Sequence, residues 1–523
     1  MPVHDALFLP EITLRILAEL VGYHQDLAGC ARVCKAFCEP ALRALWSEIP
    51  DFWPFMGLLS YEVRKEPMGD DKLWNVLGLS GDDVYVLRGN ILPAELARFQ
   101  YYASFVRSAG CLSYGMPCID PSVYMHLFEC NKGKPLFPHA QSLSWTLVID
   151  RHPIAALLTT FLTPSLRHLA IYARRCDELG NNHNPSPRTH GYKLKTLLEA
   201  VAPVACRLRT LRLDGLQVWQ SLAPFAGHER LRELKISLLP TITPITISDS
   251  VSILSSLPHL ERLKLYAFEL PIRSNPPFGL LDGWVSSKYP FLRLQSLYFH
   301  CDLTHIVPFI KSGTFPALRH LSIQTRQDIH LQTIQRAISD SELVDAAPNL
   351  REFLLSHTPL YHYADGIPTN FDVPLSDLLQ TLFALKELQE ISLHLSLRCI
   401  GFHDGAKCRL HITDDDILQV SRSWPTLRRF YLAEWDEPEA CQCPSLLALS
   451  HFAQYCPHLE RLCIPRVSHR GDMPDTMPVG SHCLRELEIT DMDVGKETMD
   501  TYLAAVFPTV QLGPVSWPEE EED

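Results

Sequence analysis

The chain has 523 residues, 46% of them hydrophobic and 20% charged, which is enough apolar surface for a large core and far from the composition of a disordered chain. Such a length exceeds one ordinary compact domain and calls for several domains or an elongated repeat array. A net charge of −13, from 47 Lys plus Arg against 60 Asp plus Glu, argues against nonspecific nucleic-acid binding, which rests on many basic contacts to phosphate.

The first residues, "MPVHDALFLPEI", lack a basic segment followed by a long apolar one, and no run of about 18 apolar residues follows. A cytoplasmic or nuclear location with no membrane partner is the expectation. The 16 Cys are scattered and often stand at apolar positions, as in "LERLCI", so they read as buried reduced thiols and not as a disulfide framework.

In chain order, residues 5–50 read as a small helical domain. Pro10 suits the first turn of a helix in which Ile12, Ile16 and Leu20 recur at spacing four, and Gly22 is placed to end it. Asp26 can cap a second helix through "LAGCARVC", and Pro40 can begin a third through "ALRALW". Leu14 and Leu17 form a second stripe on the first helix, so the bundle would keep apolar surface to spare.

Residues 51–134 read as a helical linker and cap. Their clearest element is "PAELARFQYYASFVRSAG", with Leu96, Phe99, Tyr102 and Phe105 or Val106 on one face, expected to seal the first repeat.

From 135 to 515 the texture changes. Pro-x-Leu or Pro-x-Val recurs at Pro164, Pro258, Pro316, Pro348, Pro425, Pro457 and Pro508, in stretches such as "PSLRHLAI", "PHLERLKL" and "PTLRRFYL". Versions without the proline, "CRLRTLRL", "ERLRELKI" and "HCLRELEI" among them, fill the gaps. Leading leucines stand at 166, 208, 231, 260, 294, 318, 350, 388, 427, 459 and 484, with spacings from 23 to 42 residues. Helical segments such as "DSVSILSSL" and "DDDILQVSRSW" precede several of them. Proline cannot continue a helix and holds its predecessor extended, so each unit should run helix, turn, short strand. One such unit cannot bury its own apolar face, and the units must stack. The expected fold class is α/β: a short helical domain followed by a solenoid with a parallel sheet on one side and helices outside. Residues 516–523 read as an acidic tail.

The repeat resembles the leucine-rich repeat, L-x-x-L-x-L-x-x-N/C-x-L. It departs in its second half, where Phe268, Arg326 and Met492 stand in place of the asparagine.

The opening segment resembles the F-box, on Leu9-Pro10-Glu11-Ile12, Ile16-Leu17, Asp26-Leu27, Cys30-Ala31, Val33-Cys34-Lys35, Phe37 and Leu45-Trp46. Phe37 stands where tryptophan is usual. With the irregular repeats behind it, the chain looks especially like the expanded F-box families of mushroom-forming fungi. The resemblance implies that Leu9, Pro10, Ile12, Leu14, Ile16, Leu17, Leu27, Val33 and Phe37 dock a Skp-type adaptor, and through it a cullin ubiquitin ligase. The repeats would then hold an unknown protein target. The competing readings are that the same helices only cap the solenoid, or that the chain is a repeat scaffold or inhibitor with no ubiquitin role.

Alternation along the strands puts Arg212, Lys235, Arg262, Lys264, Tyr266, Tyr298 and His300 on the open sheet face. Arg and Lys with Tyr suit an acidic or phosphorylated peptide; a solvated face without a hot spot is the alternative. No phosphate loop, G-x-S-x-G elbow or H-E-x-x-H helix is present, so the expectation is a non-enzyme without cofactor. Cys399, His403, Cys408, His411, Cys441 and Cys443 contain the makings of a zinc site, but their spacing fits no common pattern and favours coincidence.

Overall fold

The computed structural model describes residues 10–20, 22–65, 83–111, 118–148, 154–174, 187–214, 222–238, 247–267, 288–301, 303–325, 331–357, 372–395, 409–434, 442–468, 483–493 and 495–513. Phe268 and Arg326 fall outside these, as do Leu9, the acidic tail, and Cys399, His403, Cys408 and Cys441. The chain divides into two compact units, Met1–Thr241 and Ile242–Asp523.

The first unit opens with three helices, α1 (Pro10–Ala18), α2 (His24–Val33) and α3 (Lys35–Ser47). The α1 helix is rotated from the expected position. Thr13, Leu17 and Leu20 turn inward, Leu17 joining Leu27 and Ala41 in the bundle core, while Ile12 and Ile16 face out with Leu14. A period of 3.6 residues allows stripes at spacing three or four, and the one with a threonine in it is the one the bundle buries. Two further expectations are corrected. Asp26 lies in the first turn of α2 and does not cap it, and α3 begins at Lys35, so Pro40 sits inside that helix. Extended Cys34 (φ −160°) is the break between α2 and α3.

Parallel pairing starts directly after α3 and not at residue 135. Strand β1 (Glu48–Ile49) pairs with β2 (Ser108–Cys111), which leads to β3 (Ser142–Val148), β4 (His168–Arg174), β5 (Thr210–Asp214) and β6 (Glu233–Leu238), each beside its predecessor. The helix α4 (Pro93–Ala103), read as part of a cap, therefore belongs to a repeat of its own, feeding β2. Phe52, Phe55, Phe99, Phe137 and Phe161 pack under these strands, ring centroids 5.1 to 6.2 Å apart. A small second sheet, Tyr61–Lys65, Asp83–Leu87 and Cys118–Ile119, is inserted here.

The second unit holds β7 (Arg262–Ala267), β8 (Ser296–His300), β9 (His320–Thr325), β10 (Glu352–His357), β11 (Glu390–Leu395), β12 (Arg429–Glu434), β13 (Arg461–Ser468), β14 (Glu486–Asp493) and β15 (Gln511–Leu512), again parallel and in chain order. All eleven leading leucines are buried. Nine of the eleven leading leucines share one turn: the leucine N–H bonds the carbonyl three residues back, as in Leu166 to Thr163, Leu318 to Phe315, Leu427 to Trp424 and Leu459 to Cys456. Proline at the second position of such a β-turn has its φ preset and no N–H to leave unpaired, which explains why Pro-x-Leu recurs. Most strands then alternate buried and half-exposed residues, as at β9, where Leu321, Ile323 and Thr325 point in, whereas β13 is buried from Leu462 to Pro465.

Among the described cysteines, Cys456 and Cys463 are buried and Cys34, Cys206 and Cys483 exposed. Burial raises the Cys456 thiol to about 12, and burial with nearby Glu488 does the same for Cys463. Iodoacetamide should therefore label Cys34, Cys206 and Cys483 in the native protein and reach Cys456 and Cys463 only after unfolding. Peptide mass mapping checks this; native labelling of Cys456 at a comparable rate would contradict the packing.

Candidate functional site

Two surfaces hold the residues singled out in the sequence. On α1, Ile12, Leu14 and Ile16 are 38%, 45% and 44% exposed, and Val33 at the end of α2 is 72% exposed. Isolated exposed apolar residues are ordinary, but Ile12 and Ile16, one turn apart, share a face and make a small patch, while Leu14 lies on another side of the helix, about 160° round from Ile16. Leu17 and Leu27 are core residues, so their part in any docking is to hold the helices that carry the patch. Phe37 is half-buried. Tyr23, 63% exposed between α1 and α2, belongs to the same module and had no signal in the sequence beyond its aromatic ring.

This helical module is not loosely tethered. Trp46 near the end of α3 stacks on Tyr102 at 4.6 Å and meets Phe55 at 4.9 Å, while Arg43 lies 5.1 Å from the Phe105 ring centroid. Arg107 N–H donates to the Ser47 carbonyl at 2.8 Å, so sheet pairing begins at the last residue of α3.

The second surface is the outward face of the strands, and it exists in each unit. In the first, Arg212 and Lys235 are register partners on β5 and β6. Arg212 donates to Asp214 Oδ2 at 2.7 Å and lies 4.8 Å over the Tyr172 ring, so its charge is largely matched within the protein. In the second unit Lys264 pairs in register with Tyr298, and Tyr266 with His300. The Tyr266 ring is 5.3 Å from Tyr298 and 5.9 Å from His300, and Tyr298 Oη donates to Gln324 Oε1 at 2.5 Å. Arg262 is exposed where β7 begins. The structure thus brings Lys264, Tyr266, Tyr298 and His300 together, and separately brings Arg212 and Lys235 together. Tyr172, the platform under Arg212, was missed in the sequence although it stands on the outward face of β4 in register with Asp214.

Further along, Ser392 and His394 share a hydrogen bond of 3.0 Å, and His394 packs 4.6 Å from Tyr431. Burial holds the His394 imidazole below its ordinary range. Among the described residues no cluster of three or more His, Cys, Asp or Glu is placed to hold a metal ion, and His411 accepts the Gln442 N–H at 3.3 Å. Among the same residues no helix is long and apolar enough to cross a membrane.

The fold therefore defines an α/β protein of stacked leucine-rich-repeat-like units behind a three-helix module. No family model matches the chain, and no curated protein matches it. Solved structures that resemble it include the yeast Rad7 and Elc1 complex, with 15% identity, TM-score 0.31, and 75% of this chain and 86% of that chain covered. Others are the mouse RP105/MD-1 complex, with 12% identity, TM-score 0.34, and 79% and 51% covered, and a Bacteroides fragilis protein, with 12% identity, TM-score 0.30, and 73% and 76% covered. The chain spans about half the length of the RP105/MD-1 chain it matches.

Proposed function

We propose that the chain is the substrate-recognition subunit of a Skp–cullin–F-box type ubiquitin ligase, acting in the cytoplasm or nucleus. The three-helix module docks the Skp-type adaptor, and the strand faces hold a target protein through Lys235, Arg262, Lys264, Tyr266, Tyr298 and His300, with Arg212 as a positioned, internally paired cation. In this reading the chain itself is not an enzyme and uses no cofactor: it raises the local concentration of target beside catalytic groups on other subunits. The observation that carries the proposal is the exposure of Ile12 and Ile16 on one face of α1 and of Leu14 on another, on the stretch that resembles the F-box.

The test is co-expression with a Skp-type adaptor followed by co-purification. Wild type should form a stoichiometric complex. The triple variant Ile12→Ser, Leu14→Ser, Ile16→Ser removes apolar surface already in water, so its fold should be kept, and each lost contact is worth about 1 kcal/mol of partial burial. Together they predict roughly a hundredfold weaker binding. Folded wild type that forms no complex would leave a repeat scaffold without a ubiquitin role.

A further inference from the structure

At several strand entries of the second unit charges pair across neighbouring strands, although Arg293, Arg319, Arg351 and Arg485 are exposed with no ion pair among the described residues. His320 pairs with Glu352 at 2.5 Å, Arg429 with Glu390 at 3.3 Å, Arg461 with Glu486 at 3.0 Å and Arg428 with Glu460 at 3.8 Å. The first unit concentrates arginine more densely. Where the chain enters β4, β5 and β6, the segments "PSLRH", "CRLRT" and "ERLRE" contribute Arg167, Arg207, Arg209, Arg230 and Arg232, against the two carboxylates Glu229 and Glu233. All five arginines are exposed. Arg167, Arg207, Arg209 and Arg230 have no ion-pair partner among the described residues. On a chain of net charge −13 this is a pronounced local excess of positive charge.

The backbone fixes the spacing. Arg209 N–H donates to the Arg167 carbonyl at 2.7 Å and Arg232 N–H to the Arg209 carbonyl at 2.9 Å, so the three form one ladder with rungs about 4.8 Å apart. Arg207 and Arg230 stand two residues earlier, on the far side of inward-pointing Leu208 and Leu231. The field of the row is felt locally: the His168 imidazole is held below its ordinary range by burial and then by Arg167 and Arg209, with Glu233 opposing.

We infer that this arginine row is a docking strip for a run of Asp and Glu side chains on a partner protein. Arginines spread evenly along a ladder match charge spread evenly along a peptide. A single phosphate would instead ask for several donors converging on one point. Three rungs cover about 10 Å, the length of roughly three extended residues, and the reach of the arginine side chains widens that to about six. Single-stranded nucleic acid fits less well, because its binders pair a basic groove with stacked aromatic side chains, and the three entry segments quoted above contain no Phe, Tyr or Trp. The strip extends the proposed target-binding role and rests on it; adaptor docking is a separate event on separate residues.

Fluorescence anisotropy on the full chain tests the strip, with a labelled peptide of six glutamates as probe, at low and high salt. Binding should weaken as salt rises and fall about tenfold in Arg207→Gln, Arg209→Gln. Arg428→Gln, whose native residue is paired with Glu460, should change nothing. The substituted side chains are exposed and the ladder uses only main-chain groups, so circular dichroism should be unchanged. Should that pair of substitutions unfold the chain, Arg167→Gln, Arg230→Gln replaces it. Equal affinity in the variants overturns the inference, as does tighter binding of a neutral serine peptide, of a monophosphorylated peptide without carboxylates, or of oligothymidylate. Peptide binding without adaptor co-purification would keep the strip and remove the ligase role; the reverse result would remove only the strip.

Discussion

Asp416→Ala should destabilise the second unit by about 3–5 kcal/mol, because one buried carboxylate satisfies donors in two successive repeats. Asp416 is 4% exposed at the start of the helix Asp414–Ser423. One oxygen accepts Thr413 N–H at 2.7 Å and Thr413 Oγ1 at 2.8 Å, closing a capping box; the other accepts Ser376 N–H at 2.9 Å from the preceding repeat. Each buried donor left unsatisfied costs about 1–3 kcal/mol, and here three lose their partner at once. Two residues earlier, Asp414 reaches in the opposite direction and accepts Ser445 N–H at 2.6 Å and Ser445 Oγ at 2.7 Å from the next repeat. The pair thus ties three repeats together on the helix side. Chemical denaturation gives the loss, and hydrogen exchange should locate it at Ser376 and Thr413. A loss under about 1 kcal/mol would mean that water replaces the carboxylate and that the repeats do not depend on it. Asp416→Asn, which keeps one acceptor, should fall between.

The repeat pattern was readable because its physics is local. A leading leucine, a proline two residues before it and two apolar positions after it all lie within eight residues, and the β-turn, buried anchor and strand follow from that stretch alone. The outward positions of Arg212, Lys264 and Tyr298 were readable for the same reason, since alternation needs only a strand. What stayed hidden depends on distant partners. Asp414 and Asp416 look like ordinary acids in a first helical turn, and nothing near them announces Ser445 or Ser376. The rotation of α1 was hidden because two stripes compete and the choice is made by Leu27 and Ala41 on other helices. Pro40 misled because a proline six residues into α3 is uncommon but tolerated, the helix having already started at Lys35. The arginine row had a visible trace in "RLR", written twice, but its meaning lies in how few carboxylates the neighbouring strands set against it. That only strand order can show.

Gly110→Ala should cost the first unit about 3 kcal/mol, at the upper end for added volume, and the reason lies where the helical module meets the sheet. Gly110 is the third residue of β2, beyond Ser108 and Ala109, which pair with Glu48 and Ile49 of β1. A Cβ there would collide with the Pro50 carbonyl oxygen, a backbone atom that no rotamer change can move. Relief requires β1 to swing away from β2, breaking the bond between Arg107 N–H and Ser47 carbonyl and loosening the Trp46 stack on Tyr102. The three helices have their own interior in Leu17, Leu27 and Ala41, so they should stay folded. The substitution therefore separates two properties that the native chain joins. Adaptor binding, if it resides in α1 to α3, should survive, while hydrogen exchange at Arg107 and Ala109 should accelerate and a bound target should lose its fixed position relative to the adaptor. Unchanged exchange and stability in Gly110→Ala would show that β1 and β2 can accept a methyl group between them, and that the junction is looser than its contacts imply.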